Sequence, residues 1–531
     1  MPTAHPASNG MKSFSKILSA ELEGIEARLI EVETDMHVGL HVFTIVGLAD
    51  KALSESKERI NAAIKNIDIK PPSQENLKVI VNLAPADVKK TGSQYDLPIA
   101  LGYLKASEQI KEFDADNKMF VGELSLDGYV RPISGALNIA RLAKKLNITS
   151  LFVPVANAAE AAIVPDLAVY PVTSLSQLIA HLEGKKAISP QLKTELIENG
   201  ETPFVDISEI RGQESAKRAL TIAAAGGHNL LMIGPPGTGK TMLAQALASI
   251  LPPPDRDEVI EITQVYSSAG LLKDRPYVHY RPFRAPHQTA SPVSIVGGGQ
   301  IPRPGEISLA HRGVLFLDEL PEFRRDLLEA LRQPLESGRA VVNRARGNLI
   351  FPARFTLVAA MNPCPCGYYG DEEKACSCNM HEILRYQKKV SGPLLDRIDL
   401  QINVPRIPIE ELRRKRENTD AERVGILASV AAARAIQSER FKKLAKNKKG
   451  FVNAELSSKD IETTIALHPD GEKFIASVFD KNLISARGYY RILKTARTIA
   501  DLAQSQQVTK DHLAEAFSYR VRDQKVNELN S

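Results

Sequence analysis

The stretch NLLMIGPPGTGKTMLAQALASI, residues 229–250, decides the fold class of this chain. An apolar segment with the pattern of a strand precedes GPPGTGKT (234–241), and a segment with the pattern of a helix follows it. Glycines allow backbone N–H groups to curl around phosphate oxygens, and the helix N-terminus adds partial positive charge there. The order of strand, glycine-rich loop and helix therefore predicts a phosphate-binding loop, and it disfavours the alternative of an ordinary Gly-Pro turn.

The side chains of this loop predict a nucleoside triphosphate bound together with Mg²⁺. Lys240 would pair with the outer phosphates, and the hydroxyl of Thr241 would bind the metal ion. The rest of the loop would surround the phosphates with backbone groups; these residues are Gly234, Pro235, Pro236, Gly237, Thr238 and Gly239.

Two further apolar runs end in polar residues that suit phosphate chemistry. GVLFLDEL (313–320) ends in acids, which a parallel sheet places at its carboxyl edge beside the phosphate crevice. We expect Asp318 to hold Mg²⁺ and Glu319 to orient the attacking water as the base. RFTLVAAMN ends at Asn362, which would hold the water or the γ-phosphate from the side. Taken alone the two acids would be solvated turn residues, but the phosphate loop earlier in the chain favours the catalytic role.

Arginines that follow these elements are candidates for stabilising charge on the transferred phosphoryl group. Arg397 lies in GPLLDRIDL, and Arg487 and Arg491 lie in LISARGYYRILKTARTIADL. A guanidinium group suits this role, and a ring can supply it from a neighbouring subunit. Surface salt bridges on helices are the alternative for all three.

All four cysteines lie in MNPCPCGYYGDEEKACSC, residues 361–378. Two Cys-x-Cys pairs, Cys364 with Cys366 and Cys376 with Cys378, can converge four thiolates on one Zn²⁺. Disulfides are the weaker alternative because a cytosol keeps thiols reduced, and unrelated buried cysteines would be scattered along the chain. The pattern leaves no open coordination position, so it predicts a structural metal ion.

A basic hairpin is predicted just before the strand that ends at Asn362. LESGRAVVNRARGNLIFPARF (335–355) alternates β-branched and basic residues. Arg339, Arg344 and Arg346 would contact DNA phosphates if the hairpin pointed into a ring pore, and a solvated hairpin face is the alternative. A second basic cluster, RFKKLAKNKKG (440–450), suggests an exposed loop and a secondary DNA contact.

The bulk composition is that of a soluble protein of several domains. At 531 residues, about three or four domains are expected. We expect a cytoplasmic protein without a membrane partner, because no apolar run reaches the ~20 residues that cross a bilayer and the start lacks the apolar centre of a secretory signal. The net charge of +5 is weak evidence for a nucleic-acid partner, so the local clusters carry that argument.

Changes of pattern along the chain predict the domain boundaries. We expect a flexible leader (1–13), an α/β domain (14–185), a linker (186–205), an ATPase core with a parallel sheet and a cysteine insert at 364–378 (206–408), and a helical domain (409–531).

Several long segments resemble the ComM-type, magnesium-chelatase-like family of AAA+ ATPases. They include residues 25–66, FRAPHQTASPVSIVGGGQIPRPGEISLAHRGVLFLDELPEF (283–323) and MNPCPCGYYGD (361–371), and the resemblance covers nearly the whole chain. The resemblance implies a homo-oligomeric ring, which in the AAA+ pattern is a hexamer. It also implies that this ring hydrolyses ATP to move on single-stranded or branched DNA and promotes branch migration in recombination and natural transformation. It also maps Arg397 onto the arginine finger and Arg487 onto the second sensor. Where the family often has two histidines, this chain has His287 and Gln288.

The amino-terminal part is similar to the proteolytic domain of Lon, an α/β fold of the ribosomal S5 type, in GELSLDGYVRPISGALNIARLAKK (122–145). Lon chemistry needs a serine nucleophile beside a lysine base. Ser93 lies outside the expected pattern, and the lysine region has no lysine before Lys144. We therefore expect a domain without catalytic activity that serves ring assembly or DNA contact.

The expected fold class is thus α/β: a Lon-protease-like α/β domain, a central AAA+ P-loop domain with a parallel sheet, and a carboxyl-terminal helical lid. An ATP-driven DNA motor is the leading function. A chelatase-like motor that remodels a protein or metal-insertion partner, and an ATP-dependent protease, are the alternatives.

Overall fold

The computed structural model describes residues 14–39, 42–47, 51–74, 76–196, 204–273, 275–299, 302–344, 347–408, 410, 413, 419–444, 452–480 and 485–520. The chain divides into two compact units, each described by itself below. The first comprises Met1–Ile197, Val259–Val278 and Gln300–Arg303, and the second comprises Glu198–Glu258, His279–Gly299 and Pro304–Ser531. Across these described residues, every helix is too short or too polar to span a bilayer.

The first unit is built on a mixed sheet of seven strands. In spatial order these are Val42–Val46, Leu77–Ala84, Glu26–Val38, Phe14–Glu23, Lys118–Phe120, Ser150–Pro154 and Ala168–Val172. The two longest strands form an antiparallel hairpin that closes where Glu23 faces Glu26. The last four strands in the spatial order run parallel to one another. Within Glu26–Val38 every second residue from Ile30 to Met36 is buried, as expected of a strand with one face on the core.

Helices cover this sheet where apolar residues recur along the chain. They are Lys51–Lys65, Asp96–Ala106, Ala136–Lys145, Val155–Ala161 and Leu175–Leu182, with a 3₁₀ turn at Pro72–Gln74 and a short strand pair of Glu123–Leu124 with Val130–Arg131.

Helix Asp96–Ala106 lies buried against the sheet of the first unit along nearly its whole length. Its carboxylate Asp96 is fully buried and accepts a hydrogen bond from Arg59 Nε at 2.7 Å. A Cβ atom at Gly102 would lie 2.6 Å from Thr34 Oγ1, so glycine permits the close approach of helix and strand.

The first half of the predicted linker lies along the first unit. The backbone N–H of Gln191 donates to Val169 O at 2.7 Å, and Thr194 Oγ1 donates to Ala159 O at 2.6 Å. Residues 197–203 lie outside the described residues, as do residues 1–13 of the predicted leader.

The second unit contains a sheet of five parallel strands. Their spatial order is Phe283–Arg284, Val314–Leu317, Thr356–Met361, Leu230–Ile233 and Leu400–Asn403. The central strands are continuous apolar runs because helices cover both faces of a parallel sheet. This confirms the predicted central parallel sheet.

Among the described residues from 206 onward, helices alternate with these strands and then continue to the carboxyl end of the described chain. The helices are Glu214–Gly226, Lys240–Ile250, Arg256–Ser268, Pro292–Val296, Glu306–Leu309, Arg325–Ala330, Arg332–Ser337, Met380–Gln387, Gly392–Leu395, Thr419–Leu444, Ser458–Thr464, Pro469–Asp480, Ala486–Leu502 and Lys510–Ser518, with 3₁₀ turns at Ile207–Glu209, Leu320–Glu322 and Asn453–Glu455.

The carboxyl-terminal helices share one hydrophobic core with the parallel sheet. Val430, Ile492 and Leu513 belong to the same buried cluster as Leu230 and Leu243. An amphipathic helix is stabilised mainly by burying its apolar face, so these helices depend on the sheet for a partner. The predicted carboxyl-terminal helical region is confirmed, whereas its action as a lid stays a prediction.

Candidate active site

The phosphate loop lies between strand Leu230–Ile233 and helix Lys240–Ile250. Gly237 and Gly239 have φ angles of +79° and +83°, a backbone region that favours glycine. A Cβ atom at Gly234 would lie 2.1 Å from Val404 O, so the loop begins where two backbones touch. The glycine spacing that marks the motif in the sequence therefore has a local geometric cause.

The Lys240 side chain reaches back across the loop. Its Nζ donates to Gly234 O at 2.8 Å, to Pro235 O at 2.9 Å and to Asn362 Oδ1 at 3.2 Å. Burial lowers the pKa of Lys240, while the charges of Asp318 and Glu319 oppose that shift. The ammonium group is thus held over the loop by weak carbonyl acceptors, which phosphate oxygens can replace with stronger, charged ones.

Asp318 and Thr241 form the oxygen pair expected of a Mg²⁺ site. Thr241 Oγ1 donates to Asp318 Oδ2 at 3.1 Å, and the backbone N–H of Glu319 donates to Asp318 Oδ1 at 2.9 Å. A hydroxyl and a carboxylate are hard oxygen ligands, so this donor set fits Mg²⁺.

Glu319 lies at the end of strand Val314–Leu317 with a left-handed backbone, φ +52°, and an exposed side chain. This conformation is uncommon for a residue other than glycine and turns the chain sharply after Asp318. The carboxylate is therefore open to solvent at the edge of the sheet where the phosphate loop lies.

Asn362 reaches the same edge from the neighbouring strand. Strand Thr356–Met361 pairs in parallel with Leu230–Ile233, with Met361 opposite Ile233, so Asn362 stands level with Gly234. Its side chain is a partner of Lys240, as noted above, and lies beside the position that the outer phosphates would take.

The four cysteine sulfurs converge. Cys364 Sγ lies 3.4 Å from Cys366 Sγ and 3.6 Å from Cys376 Sγ, and all four sulfurs lie within 4.8 Å of one another. Sulfurs at ~2.3 Å from a tetrahedral Zn²⁺ lie roughly 3.8 Å apart, so the cluster fits that ion.

Backbone N–H groups surround the sulfurs. The N–H of Tyr369 donates to Cys364 Sγ at 3.3 Å and that of Cys366 donates to Cys378 Sγ at 3.4 Å. A hydrogen bond from the backbone N–H of Tyr368 helps to lower the pKa of Cys366 to about 5, whereas burial and the neighbouring sulfurs outweigh backbone donors and raise the pKa of Cys376 and Cys378. Donors of this kind stabilise thiolates, which are the form that binds metal.

The cysteine loop rests on the phosphate loop. Gly367 has φ +89°, and a Cβ atom there would lie 2.7 Å from Pro236 Cδ. Behind the loop, Gln387 Nε2 donates to Pro363 O at 3.0 Å, and Arg406 Nε donates to Asp371 Oδ2 at 2.8 Å. These contacts fix the loop from both sides.

Arg397, Arg487 and Arg491 lie at the other edge of the sheet. They line a cavity of about 640 Å³ together with Asn229 and Asp399, which immediately precede two of the strands. Since the strands are parallel, their amino ends lie opposite the edge that carries the phosphate loop. The three arginines are therefore not brought together with Lys240 of their own chain.

Two of these arginines are held by carboxylates. The buried Arg397 pairs with Glu336 Oε2 at 2.5 Å, and Arg491 pairs with Asp399 Oδ1 at 2.5 Å. Burial alone would raise the pKa of Asp399, but Arg491 and His228 hold it well below its usual range. Arg487 also lines the cavity and is exposed.

The cavity is also lined by a network of charged residues that the sequence did not predict. Arg281 Nη2 pairs with Glu258 Oε2 at 2.7 Å, and Glu455 accepts from Arg354 at 3.5 Å and lies 3.8 Å from Arg312. Its members come from distant parts of the chain, and no spacing in the sequence marks them.

The basic hairpin forms from strands Arg339–Arg344 and Gly347–Pro352, with Arg344 opposite Gly347. Arg339 is exposed. The side chain of Arg344 and the whole of Arg346 lie outside the described residues, as do residues 445–450 of the second basic cluster. DNA contact by these residues stays a prediction.

The Ser93 hydroxyl donates to a carboxylate, that of Glu123. Lys144 pairs with Asp166 at 2.8 Å, and the buried amine of Lys90 donates to Pro85 O. The partners of Ser93 and of both lysines thus differ from those of a serine and lysine dyad.

Comparison with known families and proteins gives matches along most of the chain. The profile described as "Magnesium chelatase, subunit ChlI" matches residues 206–412, "Subunit ChlI of Mg-chelatase" matches residues 32–157, and "Magnesium chelatase, subunit ChlI C-terminal" matches residues 422–520. Competence protein ComM of Haemophilus influenzae is 42% identical over 98% of this chain and 100% of its own length. The uncharacterized protein YifB of Escherichia coli is 41% identical over 96% of this chain and 98% of its own. The magnesium-chelatase 38 kDa subunit of Rhodobacter capsulatus is 28% identical, over 62% of this chain and 91% of its own length.

Proposed function

This chain belongs to the ComM and YifB family of magnesium-chelatase-like ATPases, and from that membership we propose that it is an ATP-hydrolysing ring motor that acts on DNA. One observation carries the proposal: the phosphate loop and the candidate arginines lie at opposite edges of one parallel sheet. The finer role that we propose is a helicase that promotes branch migration in recombination and natural transformation. The relative named as a competence protein supports that role.

At the carboxyl edge, the residues of one chain would bind and orient Mg²⁺-ATP. Lys240 would bind the outer phosphate oxygens, and Thr241 with Asp318 would hold Mg²⁺, which supplies charge to stabilise the transferred phosphoryl group. Glu319 would accept a proton from the attacking water and orient it, and Asn362 would hold that water or the γ-phosphate from the side.

At the amino edge, Arg397 and Arg487 would serve the triphosphate of a neighbouring chain. They lie across the sheet from the phosphate loop of their own chain, so another subunit must bring its nucleotide to them. A repeated head-to-tail contact of this kind closes into a ring, for which we propose a homo-hexamer.

We propose that Cys364, Cys366, Cys376 and Cys378 hold one structural Zn²⁺. The convergence of their sulfurs and the surrounding N–H donors support this site. The ion would keep the cysteine loop stiff where Gly367 meets Pro236.

For residues 14–185 we propose a Lon-protease-like domain without catalytic activity. The pairing of Ser93 with a carboxylate supports this view, since a lysine base is what activates the serine in Lon chemistry. An ATP-dependent protease is disfavoured for the same reason. A chelatase-like motor that acts on a protein or metal-insertion partner is the second candidate, and the 28% identity to a magnesium-chelatase subunit favours it.

DNA-dependent hydrolysis separates these candidates. We expect single-stranded and four-way-junction DNA to increase ATP turnover, more strongly at low salt because phosphate contacts release counterions. Arg339→Gln should weaken DNA binding and reduce the slope of log affinity against log salt by about one. Arg324→Gln, which removes an exposed arginine paired with Asp326, is the matched control. If DNA does not change the rate of ATP turnover and the protein degrades a folded protein substrate, the proposed DNA motor is contradicted.

A further inference from the structure

The carboxylate of Glu336 lies among the arginines of the amino-edge cavity. Its Oε2 is 2.5 Å from Arg397 Nη2, and Arg487 and Arg491 also act on it electrostatically. The hydrogen bond from Arg397 lowers the pKa of Glu336, and the positive charge of Arg397 lowers it further. The Glu336 carboxyl is therefore ionised at neutral pH. An anion thus lies where the proposed function places the phosphates of a neighbouring subunit.

Arg397 depends on Glu336 for its charge partner. Its Nη1 donates to Pro393 O at 2.7 Å, and its Nε is buried with no hydrogen-bond partner in the described part of the chain. The side chain of Glu336 is 64% exposed, whereas that of Arg397 is 9% exposed. The carboxylate is therefore the member of the pair that can move away, and the guanidinium is the member that stays.

The backbone of Glu336 is continuous with the basic hairpin. Helix Arg332–Ser337 ends at Gly338, where φ is +66°, and strand Arg339–Arg344 begins at the next residue. The N–H of Ala353, just beyond the second strand, donates to Gly338 O at 2.9 Å, and the N–H of Arg339 donates to Ser337 Oγ at 3.3 Å. A displacement of the helix end is therefore transmitted to the base of the hairpin.

We propose that Glu336 is an internal competitor that occupies the arginine cluster until a neighbour's nucleotide displaces it, and that this exchange shifts the hairpin. Carboxylate and phosphate oxygens compete for guanidinium N–H groups through the same charge-assisted hydrogen bonds. A triphosphate carries more negative charge than one carboxylate, so it wins the exchange when the subunits assemble. The proposal rests on the proposed function and adds a link between nucleotide at the subunit interface and the element that is expected to contact DNA.

The absence of tryptophan from the sequence allows a direct reading of the hairpin. Ile350 is 49% exposed on the second hairpin strand, and the substitution Ile350→Trp places a single fluorescent reporter there. In this background, called the reporter protein, we compare Glu336→Gln, Glu336→Ala and Arg397→Ala. Glu329→Gln is the matched control, because Glu329 pairs with Arg332 at 2.5 Å and does not line the cavity.

With Glu336 present, Mg²⁺ and the non-hydrolysable analogue AMP-PNP should change the tryptophan emission of the reporter protein at concentrations that assemble the chain. Both Glu336 variants should show much of that change before nucleotide is added. Their basal ATP turnover should rise about threefold or more, as expected when a charged hydrogen bond that competes with the substrate is lost. Glu329→Gln should match the reporter protein in both measurements.

The proposal is overturned if the tryptophan emission and the basal ATP turnover of both Glu336 variants equal those of the reporter protein. A fall of turnover to the level of Arg397→Ala would also overturn it, since Glu336 would then hold the arginine in its productive position. Failure of the proposed function looks different: turnover of Arg397→Ala would equal that of the reporter protein, whatever the Glu336 variants do.

Discussion

At the scale of single residues, the two edges of the sheet use opposite arrangements of charge. Lys240 is buried and held by neutral carbonyl groups, so it gains a charged partner only when phosphate arrives. Arg397 and Arg491 are instead each paired with a carboxylate in the same chain. The carboxyl edge therefore offers a cation without a charged hydrogen-bond partner, whereas under our proposal the amino edge would exchange a carboxylate for a phosphate.

Glu319→Gln tests the assignment of the catalytic base. The amide keeps the size of the side chain and cannot accept the proton, so we expect nucleotide binding to remain and turnover to fall by about a hundredfold or more. Binding of a fluorescent ATP analogue and steady-state phosphate release measure the two effects. Glu322→Gln, which removes a nearby exposed acid paired with Lys389, is the control. Persistent turnover in Glu319→Gln would assign the base to another residue.

Asp399 predicts an acid-dependent loss of stability. The pKa of Asp399 in the folded protein lies below its value of about 3.9 in the unfolded chain. Its contribution to the free energy of unfolding is therefore complete above about pH 3.9 and is lost as the pH falls through the folded pKa. Asp399→Asn leaves Arg491 without its partner and should cost about 3 kcal/mol at pH 7.

Urea unfolding at pH 7 and at pH values below about 3.9 measures this effect. The difference between wild type and Asp399→Asn should shrink as the pH falls. Asp114→Asn, a change to an exposed acid that pairs with Lys118, should be near neutral at both values. A difference that grows in acid would contradict the role of the Asp399 ion pair.

At the scale of elements, the site depends on loops that parallel strands bring to one edge. The phosphate loop, the turn at Asp318 and the residue Asn362 each follow a different strand, and the strands lie side by side. The cysteine loop follows the same strand as Asn362 and packs on Pro236. A change in the stiffness of that loop should therefore reach the phosphate loop directly.

Replacing one cysteine tests this coupling. Cys376→Ser should remove the bound zinc, lower Tm by about 5 °C or more and weaken ATP binding, because a structural zinc site contributes directly to folding. Metal analysis, thermal unfolding and nucleotide titration check the three effects. Ser377→Ala, at the position between Cys376 and Cys378, should change none of them. Wild-type protein that contains no zinc and four titratable thiols would contradict the site.

At the scale of the whole molecule, one subunit should supply only half of each hydrolytic site. A chain with Glu319→Gln keeps its arginines, and a chain with Arg397→Ala keeps its phosphate site. If the sites lie between subunits, some interfaces of a mixed ring join the two intact halves. Hydrolysis would then depend on assembly as much as on any side chain.

Mixing these two variants measures that dependence. Each should be nearly inactive alone, and the mixture should regain part of the wild-type turnover. The matched control mixes Arg397→Ala with the double variant Glu319→Gln, Arg397→Ala, which offers no intact arginine and should restore nothing. A chain that stays monomeric under all nucleotide and DNA conditions, with normal turnover in Arg397→Ala, would refute the ring.

Features that depend on neighbouring residues could be read from the sequence. The motif at 234–241 predicts a strand, loop and helix, and these form as Leu230–Ile233 and Lys240–Ile250. The alternation before Phe355 predicts a hairpin, which forms from residues 339–344 and 347–352. Period, glycine spacing and turn chemistry act over a few residues, so the sequence displays them.

The partners of the arginines were decided by tertiary structure alone. Arg397 pairs with a carboxylate 61 residues away and Arg491 with one 92 residues away. Both lie at the edge opposite the phosphate loop because the strands run parallel and the arginines share a cavity with residues that precede two of those strands. Local chemistry thus determined which groups this protein possesses, whereas the packing of distant segments determined which of them meet. The physical reason is that ion pairs form wherever folding brings charges within a few ångströms, regardless of their separation in sequence.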